Sequence, residues 1–239
     1  MNIVAVEAHQ DDVELGCLGT LLKYRQVFGE ACSITIVCIS NGDKGAQFDL
    51  SISYEEIAAI RNAEAAAVAS ALGGRYLCLG QPDEYIQDTP AARDWLIEVI
   101  RSARADLVLT CPPVDYQEDH IVTSRLTNQA TFLAPVRTIY TDSPPLDECP
   151  RLFYYDAIAG FESQPTRYVD ISDVFERKLE LIRLHKSQMQ NMDKFGGWDL
   201  VTYCQVVNRF RGLQAKVNYA EGFTEALAWP RVRASQLLV

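Results

Sequence analysis

Strand-like and helix-like segments alternate along the first half of the chain, and this alternation constrains the fold more than any other feature. The predicted strands are 2–8, 33–39, 76–79 and 107–111, and the predicted helices are 13–28, 53–72, 90–104 and one that begins near Asp119. Repeated strand–helix–strand units are typical of parallel sheets, whose right-handed crossovers place the loops that follow the strands along one edge. We therefore predict an α/β fold with a doubly wound, mostly parallel sheet.

The pattern changes after Pro135, where a stretch rich in Pro and Asp (141–150) ends the regular alternation. Further strands are predicted at 152–159 and 168–171, followed by helices at 173–185 and about 200–214. We find no internal repeat, no low-complexity tract and no linker in the sequence. We therefore expect residues 1–239 to form one domain with C-terminal strand and helix additions.

Composition excludes several classes of protein. The chain has 22 basic and 32 acidic side chains, a net charge of −10, whereas nucleic acids and anionic membranes are bound by clustered Lys and Arg. It has neither a basic leader before its first apolar run nor a stretch of about 20 apolar residues. Its seven cysteines show no CxxC spacing, which favours reduced thiols. We expect a cytoplasmic protein that acts on a small molecule, without nucleic acid or membrane partners.

The segment His9–Glu14 follows the first strand and carries three carboxylates and an imidazole within six residues. Helix capping would explain one or two of the carboxylates, because Asp satisfies free N–H groups at a helix N-terminus. It does not explain the histidine, and three adjacent negative charges repel one another unless a cation compensates them. His9 and Asp12 are of the residue types that bind zinc.

A catalytic zinc site needs three protein ligands and one open position, and the chain has only three histidines. His120 follows the fourth strand, so a parallel sheet would bring its loop to the same edge as His9. His185 lies in a predicted helix, where a lone histidine is more often packed or hydrogen-bonded. His120 is therefore the better candidate for the third ligand.

These motifs carry a resemblance to a known family. The segment 8–17 resembles the AHPDD-x-E signature of the LmbE-like (PIG-L) zinc N-deacetylases, and Asp115–His120 resembles their D-x-H-P-D-H motif. Weaker matches in the family order are Arg61-x-x-Glu64, Pro82-Asp83, His185-x-Ser187-Gln188 and Tyr219–Phe223. The resemblance spans nearly the whole chain.

The resemblance implies a Rossmann-like fold and a hydrolase that removes an N-acetyl group from an N-acetylglucosamine-type sugar conjugate. By motif position, the zinc ligands would be His9, Asp12 and His120, and Asp11 would be the general base. Iron(II) or another divalent metal could replace zinc, since the ligand types do not separate these ions. Related proteins often form trimers or hexamers, so a homo-oligomer is expected.

Two further residues are expected to contact the substrate. In the family the residue matching Arg61 lies near the substrate, although a surface ion pair with Glu64 would explain the same spacing. Asp83 follows the third strand, where it could bind sugar hydroxyls or simply belong to a turn.

The chain departs from the family pattern in two places. Gln10 replaces a proline, which should affect only the rigidity of the loop. Gln117 stands where the family usually has a histidine that stabilises the oxyanion, and Glu118 replaces the next proline. An amide N–H of Gln117 can still donate to an oxyanion, but a charge-assisted bond is roughly twice as strong. Gln117 is therefore a candidate catalytic residue whose substitution affects rate or substrate preference, unless it is a loop residue that faces water.

Three other functions are compatible with parts of the sequence. A nucleotide-binding domain without chemistry is disfavoured, since the chain lacks a G-x-G-x-x-G loop and its carboxylates would repel phosphate. A family member that binds metal but has lost turnover would explain Gln117. An amidase acting on another small-molecule amide would use the same metal chemistry.

Overall fold

The computed structural model describes residues 1–231, and within that range it leaves the side chains of residues 195 and 196 undescribed. Seven strands form one sheet in the order β3-β2-β1-β4-β5-β7-β6. Their bounds are β1 Asn2–Glu7, β2 Ser33–Ser40, β3 Arg75–Gln81, β4 Leu107–Thr110, β5 Arg151–Tyr155, β6 Arg167–Asp170 and β7 Ala220–Glu225. Strands β1 to β5 pair in parallel, whereas β7 is antiparallel to both β5 and β6. The predicted α/β class with a mostly parallel sheet is confirmed.

Eight α-helices accompany the sheet within residues 1–231: α1 Asp12–Gly16, α2 Leu18–Phe28, α3 Tyr54–Ala71, α4 Pro90–Ser102, α5 Glu118–Leu133, α6 Phe175–Ile182, α7 Lys186–Asn191 and α8 Leu200–Ala215. Local sequence explains where α3 begins, because Ser53 and Glu56 form a capping box, in which each side chain binds the other residue's backbone N–H. Thr89 caps α4, with Pro90 at the first helical position. Within the described residues, none of the helices combines the length and the apolar character needed to cross a membrane.

Three predicted elements differ from the structure. The helix predicted over 13–28 is divided at Cys17, whose extended φ of −148° ends α1 and begins α2. The strand predicted over 152–159 ends at Tyr155 and passes into a 3-10 turn at Ile158–Gly160. The helix predicted over 173–185 ends at Ile182, so His185 precedes α7 and does not lie inside a helix.

The hydrophobic core fixes the strands that lead to the site. Strand β1 lies in the middle of the sheet, and its residues Ile3 to Val6 are almost completely buried. A second apolar cluster forms where α1, α6 and α8 meet, with Leu15, Phe175 and Leu200 among its members. Burial of each such side chain contributes roughly 1.5–3 kcal/mol, so this cluster holds the short helix α1 against the C-terminal part of the chain.

A buried ion pair joins the last strand to the first two helices. The Glu221 carboxylate accepts the backbone N–H groups of Gly19 and Thr20 at 2.8 and 2.7 Å. Lys178 donates to Glu221 at 2.7 Å and to the Leu15 carbonyl at 3.0 Å. A Cβ at position 19 would lie 2.9 Å from the carboxylate, so the close approach requires glycine there.

Candidate metal centre and active site

Two loops that are distant in sequence converge at one edge of the sheet. Strands β1 and β4 pair in parallel, with Val6 opposite Thr110, so their carboxyl ends lie side by side. The segment after β1 carries His9 to Asp11 and continues into Asp12, the first residue of α1, and the segment after β4 carries Asp115 and continues into Asp119 and His120 in the first turn of α5. Strand β1 lies between β2 and β4, so the chain continues from β1 to one side and later returns to form the strand on the other side. This edge is therefore a topological switch point, where α/β proteins usually bind ligands.

His9, Asp12 and His120 form a compact buried group that could hold a metal ion, with candidate ligand atoms all within 4.8 Å of one another. The Asp12 carboxylate lies 3.4 Å from His120 Nε2 and 3.7 Å from His9 Nδ1. His120 Nε2 has no hydrogen-bond partner among the described residues. The Asp12 carboxylate is an ionic partner for this nitrogen, and a metal ion between the two would bind both.

Further carboxylates hold the outer edges of both imidazoles. His9 Nε2 lies 3.0 Å from Asp83 Oδ1 and 3.2 Å from Asp119 Oδ2, and His120 Nδ1 lies 3.1 Å from Asp115 Oδ2. These contacts leave His9 Nδ1 and His120 Nε2 directed toward Asp12. Metal-binding histidines usually have such a carboxylate on the second ring nitrogen, where it fixes the ring orientation.

Asp119 also binds the turn after β3. Its carboxylate accepts the backbone N–H groups of Glu84 at 2.8 Å and Ile86 at 3.1 Å. His9, Asp83 and Asp119 also form a possible ligand group of their own, in which each oxygen of Asp119 already accepts one backbone N–H. We therefore assign Asp119 to positioning His9 and the turn after β3. Asp119 thus contacts both His9 and the turn after β3.

The surrounding carboxylates make the site favourable for positive charge. Burial acts to lower the pKa of His9, but the bonds to Asp119 and Asp83 outweigh it and raise that pKa to about 9. Burial also acts to lower the pKa of His120, but Asp12 and Asp115 outweigh it and raise that pKa to about 10. Positive charge is therefore stabilised here, whether it resides on the rings or on a metal ion.

Asp11 is the N-cap of α1 and adopts a φ of 139°, a region that residues other than glycine rarely occupy. Its carboxylate lies 3.8 Å from Arg61 Nη2. Burial, assisted by the neighbouring charge of Asp12, raises the pKa of Asp11 to about 6, against the opposing effect of Arg61. A carboxylate of this kind is a better proton acceptor near neutral pH than an ordinary aspartate.

Arg61 is buried, so the surface pair with Glu64 considered from the sequence is wrong. Its guanidinium lies 3.3 Å from Asp83 Oδ2 and donates to the backbone carbonyls of Gly42 and Gln10 at 3.4 and 3.3 Å. Glu64 instead accepts hydrogen bonds from the backbone N–H and hydroxyl of Ser187. Arg61 and Asp83 therefore lie beside Asp11 and His9, as one connected group.

The two glutamines that depart from the family pattern have different surroundings. Gln117 is half-buried, and its amide donates to Glu84 Oε1 at 3.1 Å. Gln10 is completely buried, and its amide donates to the Ser40 carbonyl at 3.3 Å. A Cβ at Gly42 would lie only 2.3 Å from Gln10 Oε1. Gln10 therefore packs against the loop after β2, which is more than the effect on rigidity expected from the sequence.

His185 does not join the metal group. It is fully buried, and its Nε2 lies 3.1 Å from Glu14 Oε1. The prediction that His185 is packed inside the protein is confirmed. The sequence did not reveal that its partner would be Glu14, because this contact joins residues 171 positions apart (185 minus 14).

Comparison with known proteins gives a consistent result. Residues 4–131 match the model of the PIG-L family, described as GlcNAc-PI de-N-acetylase. The chain is 27% identical over 237 residues to diacetylchitobiose deacetylase from Thermococcus kodakarensis, covering 92% of this chain and 81% of the relative.

Solved structures show the same similarity. N,N'-diacetylchitobiose deacetylase from Pyrococcus horikoshii, complexed with an inhibitor, matches with a TM-score of 0.81 and 25% identity over 93% of this chain and 82% of its own. The 4-carboxy-2-hydroxymuconate hydratase from Pseudomonas putida matches with a TM-score of 0.83 and 21% identity over 100% of both chains, which shows a shared fold alone. Because the family model covers more than half of the chain and includes both histidine motifs, this protein belongs to the PIG-L family.

Proposed function

We propose that the protein is a metal-dependent hydrolase that removes the acetyl group from an N-acetylglucosamine-type sugar conjugate. The observation that carries this proposal is the buried group of His9, Asp12 and His120, with the carboxylate of Asp11 beside it. The family and the deacetylase relatives support the reaction class. In this reaction water attacks the amide carbonyl carbon, the C–N bond breaks, and acetate and a free amine are released.

The metal is assigned to His9, Asp12 and His120. Two imidazole nitrogens and one carboxylate oxygen are a donor set that suits zinc and leaves a position open, and iron(II) would also accept it. His120 Nε2, which makes no hydrogen bond among the described residues and faces Asp12 at 3.4 Å, supports this assignment. When bound, the ion would polarise the acetamide carbonyl and lower the pKa of water toward ~7.

Asp11 is assigned as the general base. It takes a proton from the attacking water and passes the proton to the leaving nitrogen, which would otherwise depart as an unstable amide anion. Its raised pKa and its position next to Asp12 support this role. Arg61 lies beside Asp11 and keeps part of its charge compensated.

We assign contacts with the substrate to Arg61, Asp83 and Gln117. Arg61 and Asp83 form a buried pair beside His9, where a guanidinium and a carboxylate can bind sugar hydroxyls. Gln117 donates one amide N–H to Glu84, and its second N–H is assigned to the carbonyl oxygen of the acetamide group. Charge-assisted bonds are stronger than neutral ones. We therefore expect Gln117, a neutral donor, to give slower turnover than the histidine usual at this position in the family.

The proposal also covers the domain organisation, the substrate class, the location and the assembly of the protein. We assign residues 1–239 to one domain, supported by the single sheet. The substrate is a small N-acetylated sugar or glycoconjugate, supported by a net charge of −10 that disfavours nucleic acid and anionic membranes. A cytoplasmic homo-oligomer is proposed, the location being supported by free cysteines at every cysteine position and the assembly by analogy with relatives.

The test is to measure metal content and acetate release on the same samples. We expect about one divalent ion per chain by mass spectrometry and acetate release from diacetylchitobiose or N-acetylglucosamine. Removal of the metal with a chelator should abolish release, and addition of zinc or iron(II) should restore it.

His120→Ala should lose the ion, while His185→Gln, which alters a histidine outside the group, should keep it. A protein that binds metal but releases no acetate from any acetamido sugar would instead support a member without turnover, or an amidase with another substrate. A protein that binds no divalent ion would refute the proposal.

A further inference from the structure

A recess lies between the loop after β2 and the first turn of α3. It is open to solvent and has a volume of about 650 Å³, within the range typical of small-molecule sites. Residues of the segment 43–55 line it, including Asp43, Lys44, Leu50 and Tyr54. The reaction proposed above does not use this recess.

Hydrogen bonds connect the recess to the reacting centre. Asp43 Oδ1 accepts the backbone N–H of Asp83 at 3.1 Å and is bound by Lys44 Nζ at 2.8 Å. Asp83 in turn contacts His9. The turn after β3, which carries Tyr85, is held by Asp119 through Glu84 and Ile86. The same side chains that orient His9 therefore also position the edge of the recess.

Two tyrosines flank the amino group of Lys44. Lys44 Nζ lies 5.3 Å from the centre of the Tyr54 ring and 5.4 Å from the centre of the Tyr85 ring. The two rings are 62% and 65% exposed. Exposed aromatic rings held by a cation are rigid apolar surfaces, and together they form an aromatic edge around Lys44.

The charges of the recess favour a neutral ligand. The positive charge of Lys44 is compensated by Asp43, and Glu55 also lines the recess. An anionic group would face both carboxylates. A neutral polyhydroxylated ring could instead place its C–H face on a tyrosine, accept a hydrogen bond from Lys44 and donate one to a carboxylate.

We propose that this recess binds a second, neutral pyranose ring of the substrate, linked to the N-acetylated sugar whose acetamide group lies at the metal. This proposal rests on the proposed function, since it names the part of the substrate that extends beyond the reacting sugar. It identifies Tyr54, Tyr85 and Lys44 as residues that distinguish a disaccharide from a monosaccharide.

The experiment compares kcat/KM for diacetylchitobiose and for N-acetylglucosamine. In the double variant Tyr54→Ala/Tyr85→Ala, the ratio of disaccharide to monosaccharide should fall about tenfold, the size expected for losing aromatic contacts, while the monosaccharide value stays unchanged. Tyr140→Ala removes a tyrosine that is 89% exposed on the segment after α5, and it should leave the ratio at the wild-type value. An unchanged ratio in the double variant would overturn the proposal.

Calorimetric binding of diacetylchitobiose to the same proteins separates this proposal from the proposed function. If wild-type protein releases no acetate, the deacetylase assignment fails, but weaker binding by the double variant than by wild type and Tyr140→Ala still supports the recess as a sugar site. Equal binding by all three proteins would overturn the proposal. Tighter binding of a disaccharide that carries a uronic acid would also overturn it, since the recess would then prefer an anion.

Discussion

Asp11 combines an unusual backbone conformation with a side chain suited to proton transfer. Its φ of 139° costs of order 1–3 kcal/mol for a residue other than glycine. Rigid surroundings maintain this conformation, because the next residue, Asp12, accepts the backbone N–H groups of Ala8 and His9 at 3.1 and 2.9 Å. Adjacent carboxylates therefore point in different directions, one toward Arg61 and one toward the histidines.

The substitution Asp11→Asn should separate catalysis from metal binding. Asn has nearly the same shape as Asp and removes only the charge, so the fold and metal content should be retained. Because Asn cannot accept the proton, acetate release should fall by about 10²–10⁴-fold. Mass spectrometry of the metal and an acetate assay on one preparation test this. A turnover rate equal to wild type would remove Asp11 from the base role.

Asp119→Asn should weaken metal binding without removing a ligand. The amide cannot serve both His9 and two backbone N–H groups as the carboxylate does, so the ring of His9 loses its fixed orientation. Metal affinity should fall about 10–100-fold, measured by competition with a chelator of known affinity. Asp173→Asn, which alters an exposed aspartate paired with Lys23, serves as the matched control. Equal affinities in wild type and both variants would show that Asp119 does not position His9.

At the scale of elements, the first helices depend on the C-terminal half of the chain. Helix α1 has only five residues, too few to be stable in isolation. The second apolar cluster and the Lys178–Glu221 pair hold it in place. The orientation of the metal-binding loop is therefore determined by residues more than 160 positions away.

Lys178→Met should destabilise the protein strongly. It leaves the fully buried carboxylate of Glu221 without its cation, which typically costs about 3–5 kcal/mol. The control is Arg177→Met, which breaks an exposed pair with Glu180 on the same helix and should cost about 0–1 kcal/mol. Unfolding in urea provides both free energies. Similar values for the two variants would contradict the assigned importance of the buried pair.

Elements with a strong local pattern were predictable, and elements defined by distant contacts were not. Strand β2 was predicted because it is a run of β-branched and apolar residues. Helix α3 was predicted with its end because two glycines follow it. Strand β7 was missed as a strand because Ala220–Glu225 contains Glu and Gly and no β-branched run apart from one Thr. The break at Cys17 was missed because Gly16 packs against Tyr155, where a Cβ would lie 2.5 Å from the ring.

The site was predictable to a similar extent. His9, Asp12 and His120 could be brought together from the sequence because strand order and motif spacing place them at one edge. The roles of Asp115 and Asp119 could not, since they depend on which edge of each imidazole faces outward. The burial of Arg61 was also beyond sequence reasoning, because its partners come from the loops after β1, β2 and β3.

At the scale of the whole molecule, the site collects one loop from each of four neighbouring parallel strands. The order β3-β2-β1-β4 brings four segments to one edge. They are the turn carrying Tyr85, the loop carrying Lys44, the segment carrying the candidate ligands His9 and Asp12, and the segment carrying the candidate ligand His120. The metal group follows β1 and β4, the tyrosines follow β2 and β3, and Asp83 and Asp119 connect the two groups. This arrangement matches a substrate that is longer than its reacting sugar.

The contact between Glu221 and the start of α2 has a consequence for biosynthesis. The backbone donors of Gly19 and Thr20 leave the ribosome about two hundred residues before their acceptor does. A nascent chain can therefore form β1 and β2 early, but it lacks the group that anchors the helices beside them until β7 has been translated. Metal capture by this protein should consequently be a late event, completed after translation has passed residue 221.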